Sequence, residues 1–238
     1  MIKRTVKKII PEQYHEAIYK NITRHLYGYS EKFYSQEGED MVLRKYVNNV
    51  KNGFYVDIGA HHPYRFSNTY YFYKRGWSGI NIDAMPGIMS LFKKKRKRDI
   101  NLEFAVSNKK EKLIYYAFDE SALNGFSDEL SKERNETKNY KMIFKKEIET
   151  KTLSEILEKY LPAGKHIDFM SIDVEGLDYN VLMSNNWGKY VPSFLLVEIL
   201  NTAISELPKN KIYDFIIQKG YAAVAKTGNT VIFKYAKF

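Results

Sequence analysis

A chain of 238 residues that is 44% hydrophobic and 15% aromatic can bury one sizeable core, which excludes an intrinsically disordered protein. It contains no cysteine, which excludes disulfides, thiolate metal sites and thiol nucleophiles and suits a reducing cytoplasm. The net charge of +10 points to an acidic partner, yet no helix-turn-helix, zinc-finger or RNA-binding signature accompanies it, so a nucleic-acid partner is not expected.

The opening stretch, MIKRTVKKII, is basic, but no uninterrupted apolar run follows it. Neither a cleaved signal nor a membrane-spanning segment is expected, and the reading is a soluble, cytoplasmic protein. Residues 1–36 read as a helical N-terminal extension, and residues 37–238 as a single domain. A helix is expected over 37–50, with Met41, Val42, Tyr46 and Val47 on one side. From Phe54 the rhythm is strand (54–58), helix (67–75), strand (78–82), helix (87–97), strand (101–106). Strands alternating with helices predict parallel β-α-β units, hence a doubly wound α/β sheet. The second of those helices ends in six cations, Lys93 to Arg98. Such a run is a solvated helix end set against the helix dipole, or an attraction for a phosphorylated or membrane partner.

Residues 112–150 break the rhythm. A strand is expected over 113–118, while the polar stretch 127–140 has no apolar period, so the segment reads as an inserted, partly mobile lid. Thr152 and Glu155 form a capping box that opens the next helix. The segments 167–176 and 193–200 supply two further core strands. A helix over 209–219 then leads to a hairpin, 221–226 and 230–235, joined by Thr227-Gly228-Asn229.

In a doubly wound sheet, ligands sit beyond the C-terminal ends of the strands. Asp57 and Gly59 stand at that end of the first strand and Asp83 at that of the second, where an acid can accept from both ribose hydroxyls. The first turn reads Gly59-Ala60-His61-His62-Pro63-Tyr64 and lacks the further glycines that cradle a pyrophosphate. The expected ligand is therefore an adenosine without a pyrophosphate. Asp57 suits a cationic group such as the ammonium of a methionine moiety, a description that S-adenosylmethionine fits. A strand-end acid can also simply cap a turn.

The segments YVDIGAHHPYRFSNTYYFYKRGWSGINID, IDFMSIDVEG and LLVEI together resemble the FkbM family of S-adenosylmethionine-dependent methyltransferases, from about Gln36 to the C-terminus. The resemblance implies a class I, Rossmann-like methyltransferase fold, a mostly parallel seven-stranded sheet whose last strand is antiparallel. It also implies O-methyl transfer to small molecules, often sugars of bacterial polysaccharides. By the same resemblance Asp57, Gly59 and Ala60 hold the methionine end, Asp83 holds the ribose, and Ala105, Val106 and Ser107 face the adenine. Asp83 stands where many relatives carry Glu.

A sugar hydroxyl needs a base or a metal before it attacks. Asp173 and Glu175 follow the fourth core strand and Glu198 ends the fifth; the oxygens of Asp173 and Glu198, converging from adjacent strand ends, suit Mg²⁺ or Mn²⁺, with Asn201 as a neutral third ligand. Without a metal, Asp173, Glu175 or His62 becomes the general base; His61 is assigned no role. Asp173 also reads as a strand-end acid bonded to backbone amides. The aromatic cluster Tyr70 to Tyr73 with Trp77 reads mainly as packing, and Ser67 as a helix cap. The expected acceptor is a nucleotide-activated sugar, and the expected assembly a homodimer. An amine, a lipid-linked glycan or a natural-product hydroxyl are rival acceptors, and a non-catalytic adenosine-binding scaffold is the rival of another class.

Overall fold

A computed structural model describes residues 11–18, 21, 31–136 and 139–236. The chain divides into two units, Met1–Phe33 and Tyr34–Phe238. The helical extension expected over residues 1–36 lies largely outside the described residues; within it, Glu12–Tyr14 forms a 3₁₀ turn.

The centre of the second unit is a seven-stranded sheet. The strands are β1 (Phe54–Ile58), β2 (Ser78–Asp83), β3 (Ile100–Glu103), β7 (Phe169–Ile172), β8 (Phe194–Glu198), β9 (Tyr221–Lys226) and β10 (Thr230–Tyr235). Their spatial order is β3-β2-β1-β7-β8-β10-β9. The first five run parallel, and β10 is antiparallel to both β8 and β9. This is the class I methyltransferase arrangement implied by the resemblance, with the reversal of strand order at β1.

Every residue of β1 is buried, as expected of a parallel strand covered on both faces. Alternation sorts its side chains. Phe54, Val56 and Ile58 join a core with helix α5 (Leu153–Tyr160), α6 (Asp178–Met183) and α7 (Lys211–Gln218). Tyr55 joins Phe169, Leu196 and Ile232 on the other face, against Leu43 of α1 (Glu39–Tyr46) and Phe72 of α2 (Tyr70–Lys74). Helix α3 (Ile88–Lys95) buries Met89 and Phe92 in a cluster with Ala60.

Local chemistry sets the helix ends. The expected box at α5 is present, Thr152 accepting from Glu155 N and Glu155 from Thr152 N. Helix α2 is shorter than the expected span 67–75; just ahead of it Ser67 Oγ accepts from Tyr70 N at 3.1 Å, while Thr69, at the N-cap, makes no side-chain cap bond. The Asn210 side chain accepts from Ile212 N and starts α7, after a 3₁₀ segment, Ile204–Lys209.

One expectation is corrected. The strand expected over 101–106 is two strands. β3 ends at Glu103, and β4 (Ala105–Val106) leaves the main sheet to pair with Thr150 and Lys151. The inserted segment holds the strand expected over 113–118, as β5 (Lys112–Phe118), and adds a helix, α4 (Asp128–Glu136), and a second strand, β6 (Met142–Lys151), in the stretch that shows no apolar period. These build a three-stranded sheet in the order β4-β6-β5. β6 is mostly exposed and carries no apolar alternation; its backbone ladder to β5 makes the strand.

Candidate active site

The site forms where β1, β2, β7 and β8 end. Gly59 has φ +81° and, with Ala60, donates its N–H to Ile82 O at 2.9 and 3.1 Å, bending the chain over the end of β2. Asp83 fastens the same turn. Its Oδ2 accepts from His61 N and its Oδ1 from Met85 N, both at 2.7 Å. Each oxygen retains a second lone pair for a ligand. Burial raises the Asp83 pKa, and the two N–H donors pull it back.

Asp57 is 4% exposed and accepts from Thr69 Oγ1 at 2.9 Å. Burial raises its pKa to about 6, against the opposing pull of Thr69 and of Arg96. Arg96 belongs to the run of six cations, and here the solvated-end reading is wrong for one member. Its side chain is fully buried. Nε pairs with Asp99 at 2.8 Å, one Nη2 proton goes to Tyr55 Oη at 2.7 Å and another to Thr69 Oγ1 at 3.0 Å, and Nη1 donates to Pro63 O at 2.9 Å.

A cavity of about 360 Å³ opens between this turn and the second sheet. Asp57, Gly59, Ala60 and Asp83 line it, as expected. Of the three residues expected at the adenine, only Val106 reaches it, joined by Phe104. Ala105 and Ser107 point the other way along the pleat; Ser107 is fully buried, its N–H bonded to Lys151 O.

The histidines exchange places relative to expectation. His62 does not line the cavity: its Nδ1 accepts from Tyr64 N and Arg65 N and closes the turn around Pro63. Burial and the neighbouring Arg65 lower its pKa. As a turn acceptor it cannot serve as the general base. His61, at φ +51°, is the one that lines the cavity, where its Nε2 is buried without a hydrogen-bond partner. Burial, then Arg65 and His62, lower its pKa to about 4, so the ring is neutral.

Three carboxylates meet beyond β7 and β8. Asp173, Glu175 and Glu198 are all half-buried, and one oxygen from each lies within 4.8 Å of the others. Asp173 is held well above the usual carboxylate range, by burial first and then by Glu198 and Glu175. Such a cluster of like charges suits either a shared proton or a hard divalent cation with oxygen ligands. Asn201 does not belong to it. Ile199 N bonds to Asn229 O, the chain turns away after Glu198, and Asn201 is exposed outside the cavity. Glu175, at φ +53°, takes the expected third place. Asn68 lines the cavity beside them and donates to Ser171 Oγ at 2.9 Å.

The second sheet roofs the cavity. Gly125 packs on Glu175, since a Cβ on that glycine would stand 2.8 Å from Glu175 Cβ. Arg65 grips Glu120 through two parallel hydrogen bonds of 3.0 and 2.9 Å. Among the described residues, Arg65 is the only lysine or arginine lining the cavity. Sequence reasoning missed Arg65, Glu120, His61 and Arg96, because no residue pattern says where an isolated polar side chain will land.

Residues 57–222 match the family model described as the methyltransferase FkbM domain. No curated protein matches the chain. Among solved structures it is similar to a TehB-like SAM-dependent methyltransferase from Corynebacterium glutamicum, at 10% identity and a TM-score of 0.41, covering 94% of this chain and 100% of that one. It is also similar to an O-methyltransferase from Bacillus cereus in complex with SAH, at 10% identity and a TM-score of 0.43, covering 98% and 95%. Among the described residues, no helix is long and apolar enough to cross a membrane.

Proposed function

This chain belongs to the FkbM methyltransferase family, and from that premise we propose that it transfers the methyl group of S-adenosylmethionine to a hydroxyl of a bacterial sugar, in the cytoplasm. The observation that supports this most is the meeting of Asp173, Glu175 and Glu198 beside the Gly59 turn, within one cavity that also holds Asp57 and Asp83.

When bound, S-adenosylmethionine supplies a methyl group on a positively charged sulfur. Asp57 would accept the ammonium of its amino-acid end and Asp83 the ribose hydroxyls, with Phe104 and Val106 beside the base. Val106, Tyr115 and the loop from Glu120 to Phe126 cover one side of the cavity and would shield these contacts from bulk solvent. An acceptor hydroxyl beside the three carboxylates loses its proton to the cluster, with Asp173 the best-placed base because burial, and then its carboxylate neighbours, raise its proton affinity. Mg²⁺ or Mn²⁺ fits the same oxygens; Asp173, Glu175 and Glu198 would hold it, and it would supply positive charge that makes the hydroxyl more acidic.

The positive charge of the chain lends little support to a nucleotide-activated acceptor. Arg96 of the basic run is buried, the three lysines closing α3 lie outside the cavity, and the cavity's Arg65 is engaged with Glu120. The sugar hydroxyl rests instead on the acid cluster and the family.

The test is release of S-adenosylhomocysteine from S-adenosylmethionine over a panel of free and nucleotide-activated sugars, with and without chelator, for wild type and Asp173→Asn. Turnover on a sugar that Asp173→Asn lowers at least about a hundredfold supports the reading. Turnover indifferent to both chelator and Asp173→Asn removes the carboxylates from the chemistry, and failure to bind S-adenosylmethionine at millimolar concentration ends the proposal.

A further inference from the structure

Arg96 is a cation drawn out of a solvated run into the middle of the protein, and its bonds converge on the turn that ends β1. We infer that Arg96 is a positioning residue for the cofactor's amino-acid end, acting on Asp57 through the Thr69 hydroxyl and on the Gly59 turn through the Pro63 carbonyl. This rests on the reading that the cavity takes S-adenosylmethionine with its ammonium at Asp57.

The geometry leaves Arg96 little freedom. It is 0% exposed, and its guanidinium meets Asp99, Tyr55, Thr69 and Pro63 at 2.7 to 3.0 Å. Asp99 is itself fixed, accepting from Gly79 N at 3.0 Å and from Asn81 Nδ2 at 3.0 Å, both on β2. The cation is therefore anchored to the neighbouring strand and cannot follow a displaced loop. Thr69 is the relay. Its hydroxyl accepts from Arg96 Nη2 at 3.0 Å and has one proton to give, which goes to Asp57 Oδ2 at 2.9 Å. With the donor role fixed in this way, Oδ2 is held and the carboxylate plane is oriented, leaving Oδ1 for a ligand. The chain of bonds runs from a charged donor to a charged acceptor through a buried hydroxyl, the arrangement in which hydrogen bonds polarise one another most. A second arm acts on the backbone. Pro63 O is bonded to Nη1 just after His62 has closed the turn, so the segment from Gly59 to Arg65 is tied at Asp83 at one end and at Arg96 at the other.

The test compares two probes that differ at the amino-acid end, which carries the ammonium. S-adenosylhomocysteine carries the amino-acid end; 5′-methylthioadenosine keeps the adenosine and the thioether but lacks it. Dissociation constants for both are measured by calorimetry on wild type, Thr69→Val and Arg96→Lys, with circular dichroism confirming the fold. Thr69→Val removes the relay at nearly constant volume and serves where a change at Arg96 disturbs folding. The expected result is a preference for S-adenosylhomocysteine in wild type that falls about tenfold in Thr69→Val, the weight of one charge-assisted hydrogen bond, with 5′-methylthioadenosine affinity within about twofold of wild type. Arg96→Lys keeps the charge but loses the fork, so its preference lies between the two. If Thr69→Val and Arg96→Lys weaken both probes alike, or neither, the inference is overturned while the cofactor reading stands. A wild-type protein that binds both probes equally removes the ammonium from Asp57, and the inference falls with that reading.

Discussion

The α-carbon of Gly59 faces the backbone carbonyl of Asp173 so closely that a Cβ there would overlap its oxygen, with the carbonyl carbon 2.7 Å away. The turn that would receive the cofactor and the strand end that would ready the acceptor are thus packed backbone to backbone, without a side chain between them. A substitution at one must move the other.

Gly59→Ala combines that overlap with a left-handed φ of +81°. The conformational cost is about 1–2 kcal/mol, and relieving the overlap adds about 1–3 kcal/mol. We expect a lowered melting temperature together with loss of both S-adenosylhomocysteine binding and turnover, read by thermal melts and calorimetry. A variant with wild-type affinity would show that β1 and β7 are not coupled through this contact.

Asp57 contributes an opposing pair of effects. An acid whose folded pKa is raised holds its proton more tightly in the native state, so its contribution to stability is complete below the ordinary 3.8 and is lost as pH rises through about 6. The loss is on the order of 2–3 kcal/mol above pH 7. Asp57→Asn is therefore expected to gain stability relative to wild type between pH 4 and 7 while binding S-adenosylhomocysteine more weakly. His61 runs the other way, its lowered pKa removing stability as pH falls from 6.5 through about 4. Urea midpoints of the two proteins against pH isolate Asp57 because His61 is common to both. Parallel profiles would refute the assignment.

The two adjacent histidines separate by kinetics. His62 holds the turn by accepting two backbone N–H groups, so His62→Ala should weaken cofactor binding with little change in the pH dependence of kcat. His61 faces the cavity with a buried, unpartnered Nε2, so His61→Ala should alter acceptor or cofactor KM more than stability. A pH-rate profile that loses a limb in His62→Ala would restore His62 as the base.

The Arg65–Glu120 pair joins the β1 turn to the roofing sheet at a site where both side chains are partly exposed, 44% and 34%. Such a pair adds about 0–1 kcal/mol, so Glu120→Gln should leave the melting temperature nearly unchanged. It should instead speed ligand release, and the effect should shrink at high salt as the wild-type pair is screened. Stopped-flow release of S-adenosylhomocysteine measures it, and an unchanged rate at low salt would show that the roof is held by packing alone.

Much of the main sheet was legible in the chain. Short segments of five or six residues, one carrying Asp57 next to its last position and the others ending in Asp83 and Glu198, are mostly buried parallel strands because both faces must be covered, and the helices between them supply the cover. Thr152 with Glu155 states a helix start in four residues, since the partners are local. The strand β6 was not legible. Its residues are charged and mostly exposed, and what makes it extended is the ladder to β5.

The sequence by itself determined the doubly wound core, the glycine turn and the acids at its strand ends, because each depends on neighbours within a few residues or on a short hydrophobic period. Tertiary structure alone decided that His61 rather than His62 enters the cavity, that Glu175 rather than Asn201 completes the carboxylates, and that one arginine of six cations turns inward. Those outcomes hang on partners far along the chain: Tyr55 for Arg96, 41 residues away, and the Gly125 backbone against Glu175. Most polar side chains are buried only where such partners satisfy them, and periodicity carries no record of those partners.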